Sequence, residues 1–170
     1  MVKSTFENLN EEKKKRIEQS LLKEFSNHSL ADAQVARIVK DAQIARGAFY
    51  KYFDNLTDAY LYIFHKALES VHSNIHVREF NVDAFYQSVK DFLEKSSCEY
   101  CDLFKMHYAH NSALLQTKPS EWTLKMQPEM WSAMVLTHET LKNALLDPEH
   151  QNEYLDLYKK SLEMLNRGRK

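Results

Sequence analysis

Apolar residues along this 170-residue chain recur at intervals of three and four, the spacing that lays one stripe along a helix. Ile17, Leu21, Leu22 and Phe25 form the first stripe. Its helix is capped by Asn10, carries Glu11 and Glu12 in the first turn and runs to about Asn27. Val35, Ile38 and Val39 mark a second, short helix over about Leu30–Asp41, and a third starts near Ala45 and stops by Phe53. From Leu56 a long stripe of Tyr60, Ile63, Phe64, Ala67, Leu68, Val71 and Ile75 predicts a fourth. Asn81 caps a fifth around Phe85, Val89, Phe92 and Leu93, and a shorter sixth passes through Leu103, Met106 and Tyr108. Pro119 and Ser120 open a seventh that ends before Pro128. The last two cover about Met130–Leu146 and Pro148–Asn166, the latter announced by an acidic cap followed by proline, Asp147-Pro148.

Composition narrows the fold class. Only two Gly and three Pro leave little turn chemistry for strands. The expectation is an all-α protein of about nine helices joined by short loops. Charge divides unevenly: residues 1–53 hold ten Lys/Arg against seven Asp/Glu, and residues 54–170 hold thirteen against seventeen. A mildly basic head on an acidic body fits a head that meets phosphate. No stretch approaches the ~18 apolar residues of a membrane span. The Lys- and Glu-rich start has no apolar leader, and two cysteines fit a reducing compartment, so a cytoplasmic protein with no membrane partner is expected. A glycine-rich phosphate loop, H-E-x-x-H and a nucleophile elbow are all missing from the sequence, which argues against an enzyme.

Three short helices at the start, the last two separated by a tight turn, suggest a helix-turn-helix over residues 1–53, with residues 54–170 as a separate body. Residues 35–53, V-A-R-I-V-K-D-A-Q-I-A-R-G-A-F-Y-K-Y-F, resemble the helix-turn-helix of TetR-family repressors. The matching positions are Ile38, Ala42, Ile44, Arg46, Gly47, Phe49, Tyr50, Tyr52 and Phe53, and the likeness continues through F-D-N-L-T-D-A-Y at 53–60. A small residue lets a recognition helix approach the major groove closely, although glycine costs about 1 kcal/mol of helix propensity. Phe49 and Phe53, four apart, anchor the helix, which leaves Arg46, Gly47, Ala48, Tyr50, Lys51 and Tyr52 for DNA or its rim. The resemblance implies that Tyr50 and Tyr52 reach backbone and base edges while Arg46 and Lys51 meet phosphate or guanine. Three positions depart from the family pattern: Gln43 stands at a turn glycine, Ala45 at a Ser/Thr cap, and Leu56 at a phosphate-binding lysine.

The resemblance further implies a C-terminal part that dimerises and holds an inducer. Trp131, Met134, Leu141, Leu145, Leu155, Tyr158, Leu162 and Leu165 are candidates for interface or core. His65, His72 and His76 share one face of the fourth predicted helix. The opening K-S-T-F-x-x-L, the R-G-A-F-Y-K-Y-F-D-N-L-T-D-A-Y stretch and E-S-V-H resemble a subgroup of lactic-acid-bacterial TetR regulators that sense haem and control a haem-efflux transporter. That resemblance implies His72 and His138 as the two axial ligands of haem iron. Leu68, Ile75, Met134, Val135 and Leu141 would wall the macrocycle, with Lys142 one turn past His138 to meet a propionate. Neutral imidazole suits haem iron chemically. A different small hydrophobic inducer is an alternative. So is metal or thiol sensing through Cys98, Cys101, His107 and His110, although their C-x2-C-x5-H-x2-H spacing does not fold back as zinc sites do.

Overall fold

The computed structural model describes residues 2–72, 80–94, 99–114 and 124–168, the side chains of 71 and 72 excepted. Among the described residues there are nine α-helices and no strand: α1 (Ser4–Glu7), α2 (Glu11–Asn27), α3 (Val35–Asp41), α4 (Arg46–Tyr52), α5 (Leu56–His72), α6 (Val82–Glu94), α7 (Cys101–Met106), α8 (Pro128–Leu146) and α9 (Gln151–Arg167). A π-helical turn, His107–Asn111, prolongs α7, and a 3-10 turn, Pro148–His150, leads into α9. The expected all-α fold is therefore observed, with an N-terminal helix-turn-helix and a helical C-terminal part.

The helix boundaries differ from expectation in instructive places. The hydrophobic pattern gives no sign of α1, because a four-residue helix with one buried residue, Phe6, has no periodicity to read. The second predicted helix starts at Val35 rather than Leu30. The Glu24 carboxylate accepts from the Gln34 amide at 2.8 Å, and Ser29 and Asp32 close a local turn instead. Pro128 occupies the first helical position of α8, where its missing N–H costs nothing. The helix expected from Pro119 lies outside the described residues.

Contacts divide the chain into two compact units, residues 1–68 with 102–114, and residues 69–101 with 115–170. The first unit thus reaches past the helix-turn-helix, for reasons visible in its core. Tyr60 of α5 meets Phe25 of α2 edge-on at 5.1 Å between ring centroids, and its hydroxyl bonds His107 Nδ1 at 2.8 Å. Burial pushes the Tyr60 phenol up to about 12, a rise that the neighbouring Asn111 amide moderates. Leu30 N–H donates to Asn111 Oδ1 at 2.9 Å, so the turn at 107–111 also fixes the loop before α3. Phe6, Phe53 and Tyr62 pack together, with Phe6 5.0 Å from Phe53 and 5.1 Å from Tyr62.

Charged groups lock α2 to α3. Arg37 bonds Glu24 through Nε and Nη2, at 2.6–3.0 Å. Burial alone would raise the Glu24 pKa, but Arg37 and the Gln34 amide more than offset it and hold the carboxyl below its usual range. Ser20 and Lys23 both reach Asp41, at 2.9 and 2.5 Å, and Arg16 Nε donates to the Ala42 carbonyl at 2.8 Å. The turn between α3 and α4 is thereby tied to α2 at its first residue.

The second unit is built on α6, α8 and α9. Phe85, Val89 and Phe92 are buried on α6, Met130, Ala133, Leu141, Ala144 and Leu145 on α8, and Leu155, Tyr158 and Leu162 on α9. Inside it, Thr137 Oγ1 and Tyr158 Oη lie 2.6 Å apart, a polar pair satisfied by its own members and by the Ala133 carbonyl. This sorts the interface-or-core candidates: Leu141, Leu145, Leu155, Tyr158 and Leu162 are core, Met134 and Leu165 half-buried, and Trp131 exposed.

Gln43 carries the one positive φ of a non-glycine residue among the described residues, 52°. The turn demands a left-handed residue, which costs an L side chain roughly 1–2 kcal/mol, while glycine loses about 0.5–1 kcal/mol of that in backbone entropy. Gln43→Gly is expected to stabilise the protein by about 0.5–1 kcal/mol and Gln43→Val to destabilise it. Thermal unfolding followed by circular dichroism checks both.

Candidate nucleic-acid interface

The residues that form α4 do so against the odds of its length. Seven residues make two turns, too few to be stable alone. Ala45, immediately before the helix, makes no side-chain cap bond, as its departure from the Ser/Thr pattern implies. Stability comes from one face instead. Phe49, Tyr52 and Phe53 fall at i, i+3 and i+4, and their exposures are 0, 6 and 0%. Phe49 and Phe53 pack at 5.5 Å, and Tyr52 sets its ring against Phe6 at 5.7 Å.

Tyr52 therefore corrects the sequence expectation. Instead of joining the DNA-facing set, its ring is part of the anchor, with the Lys13 ammonium 5.9 Å from its centroid. The i+3 relation to Phe49 carries that information, which the i, i+4 pair of phenylalanines does not. Gly47 and Lys51 lie on the opposite side; Arg46 and Tyr50 are exposed as well, and Ala48 is half-buried. Tyr50 leaves 43% of its surface to solvent. Arg46 and Lys51 have no ion-pair partner among the described residues. Two cations and a phenol are thus exposed around a glycine.

Gly47 is exposed within the helix at ordinary negative φ, and a Cβ built on it would meet nothing within 4 Å. Neither backbone conformation nor internal packing demands a glycine there. Leu56, the third departure from the family pattern, begins α5 and is half-buried. Its apolar side chain has no charge to offer a phosphate.

Of the residues assigned to an inducer, fewer are visible. His72 ends α5, but its side chain, like all of Ile75, lies outside the described residues. Leu68 closes the first compact unit and is half-buried. On α8, Met134 and His138 are half-buried and Val135 is exposed, while Leu141 belongs to the core. Burial lowers the His138 pKa and favours its neutral form. Lys142 pairs with Glu139 on its own helix at 3.2 Å.

The alternative constellation does not assemble among the described residues. Cys98 lies outside them, and Cys101 is disulfide-bonded, in contrast to the thiols expected of a reducing compartment. The His107 ring stacks on Phe64 at 4.0 Å and bonds Tyr60, whereas His110 is exposed. No group of three His, Cys, Asp or Glu residues suited to a metal ion occurs among the described residues. No described helix is long and apolar enough to cross a membrane.

No protein-family model matches the chain, and no curated protein sequence does. Among solved structures, a TetR family transcriptional regulator from Chloroflexus aurantiacus is similar over 99% of this chain and 98% of its own, with a TM-score of 0.53 and 18% identity. The likeness runs from end to end and is one of fold: the arrangement of helices that carries α3 and α4 at the N-terminus is shared with that regulator.

Proposed function

We propose that this protein is a TetR-type transcriptional regulator that binds duplex DNA through α4 as a homodimer. Gly47 carries the reading. Glycine there weakens a helix that has few stabilising features, and nothing inside the protein requires it. A surface that must come close to a DNA groove accounts for it, since a side chain at that point would hold the backbone away. Arg46 and Lys51 supply cations for phosphate, and Tyr50 a hydroxyl and an apolar ring between them. The Chloroflexus regulator supports the reading through its shared fold.

Pairing of two chains follows from exposed apolar residues on the C-terminal helices. Trp131 and Val135 sit one turn apart on α8 and are each 49% exposed; on α9 Leu157 and Met164 are 63 and 71% exposed. Exposed apolar residues of this kind suit a self-complementary interface, and a two-fold dimer matches a palindromic operator. Trp131→Glu is expected to shift the protein to monomer in sedimentation analysis, with its helical content retained.

For the inducer, the resemblance to haem-sensing regulators and the neutral, half-buried His138 favour haem. His138 and His72 would hold the iron through imidazole nitrogen, and Met134 would contribute apolar surface beside His138. Bound there, haem would supply an iron centre that imidazole nitrogen can ligate. A ligand that binds the DNA-incompetent arrangement better would release the operator by that difference in affinity.

A mobility-shift titration with a palindromic duplex from upstream of the protein's own coding region tests DNA binding. Tyr50→Ala is expected to weaken binding by about tenfold or more, the scale of one lost base-edge or backbone contact. Gly47→Ala should stabilise the protein by about 0.5–1 kcal/mol yet weaken DNA binding. A tighter or unchanged complex with Gly47→Ala would contradict the role given to that position. Hemin added to the protein should give a sharp Soret band and a six-coordinate low-spin spectrum, weakened by His72→Ala and by His138→Ala. An unchanged spectrum in both variants would rule out this pair as ligands.

A further inference from the structure

The last turn of α4 is completed by residues far from it in sequence. The final four carbonyls of an α-helix have no partner within the helix. In α4 these belong to Phe49, Tyr50, Lys51 and Tyr52. The Phe49 carbonyl accepts from Phe53 N at 2.9 Å as the chain leaves the helix. The other three are met by the N-terminal segment: Lys3 Nζ donates to the Tyr50 carbonyl at 2.9 Å, Thr5 Oγ1 donates to the Lys51 carbonyl, and Lys3 N donates to the Tyr52 carbonyl at 3.1 Å.

We infer that Lys3 and Thr5 are positioning residues for DNA recognition, acting as a C-terminal cap that holds the outward half of α4 in place. The inference rests on the reading of α4 as the DNA-binding helix. Three observations support a dedicated brace. The segment is itself fastened, by the Lys3–Asp54 ion pair at 2.6 Å and by Phe6, which is fully buried against Tyr52 and Phe53. The lysine ammonium sits where the negative end of the helix dipole favours a cation. The capped carbonyls of Tyr50 and Lys51 belong to the same residues whose side chains face outward, so fraying of this turn would displace both.

Thr5 separates positioning from direct contact because it is neutral and its hydroxyl is spent on the Lys51 carbonyl. Thr5→Val removes the donor at nearly constant size, and Thr5→Ser keeps it. With a palindromic duplex selected by the unaltered protein from a random pool, Thr5→Val is expected to bind about three- to tenfold more weakly, the scale of one lost hydrogen bond. Thr5→Ser should restore affinity. The slope of log affinity against log salt should stay as in the unaltered protein, because Thr5 carries no charge and the cationic contacts are kept. In the free protein, amide hydrogen exchange at residues 50–53 should accelerate by a similar factor in Thr5→Val, with α9 unchanged. Unchanged exchange and affinity in Thr5→Val would overturn the inference, as would faster exchange with unchanged affinity. A shallower salt slope would overturn it, because it would mean that cationic contacts to DNA, and not the seating of α4, had changed. If the unaltered protein selects no duplex, the DNA-binding reading of α4 itself fails.

Discussion

Phe6, Phe49, Phe53 and Tyr62 meet in one buried cluster, with neighbouring ring centroids 5.0–6.0 Å apart, and this cluster decides where α4 stands. Each ring comes from a different part of the chain: the N-terminal segment, α4, its exit, and α5. Large aromatic side chains bury much apolar area while fixing few torsions. A seven-residue helix with no side-chain cap at its start can therefore be held at a definite angle. Arg16, Ser20, Lys23 and Glu24 of α2 then fasten α3 and the intervening turn by charge and hydrogen bonding. The apolar cluster supplies the stability, and the polar links supply the register.

The outward side of α4 is organised by the opposite logic. Little there stabilises the protein: Gly47 weakens the helix, Tyr50 packs edge-on against Phe49 yet leaves 43% of its surface to solvent, and Arg46 and Lys51 have no ion-pair partner among the described residues. Each of these features has a local cost, and each would become favourable against the polyanionic groove proposed as the target of α4. Local conflict on one face of an otherwise consistent element is the usual mark of a binding surface. Gln43 extends the pattern, since its left-handed backbone is what turns α4 away from α3.

Much of this is legible in the sequence, and what is not has definite causes. Stripes of period 3.6 identify the long helices, and Gln43 and Ala45 mark a strained turn and an absent cap through their departure from the family pattern. Tyr52 belongs to the anchored side because it lies three positions from one anchor and one position from another, a geometry that outweighs its likeness to DNA-contacting tyrosines. The α1 segment is illegible, since its order comes from tertiary bonds to α4 and not from its own four residues. The same limit applies to the body. His138 is placed on the half-buried side of α8, and that placement comes from tertiary packing, which residue type alone does not disclose.

Nuclear magnetic resonance of the ¹⁵N-labelled protein titrated with its selected duplex tests the central claim most directly, because it maps the contacting surface residue by residue. Amide shifts are expected to concentrate at residues 43–51, with the largest around Gly47 and Tyr50. Shifts confined to the C-terminal helices, or spread evenly over the basic surface of α2 with α4 unaffected, would contradict it.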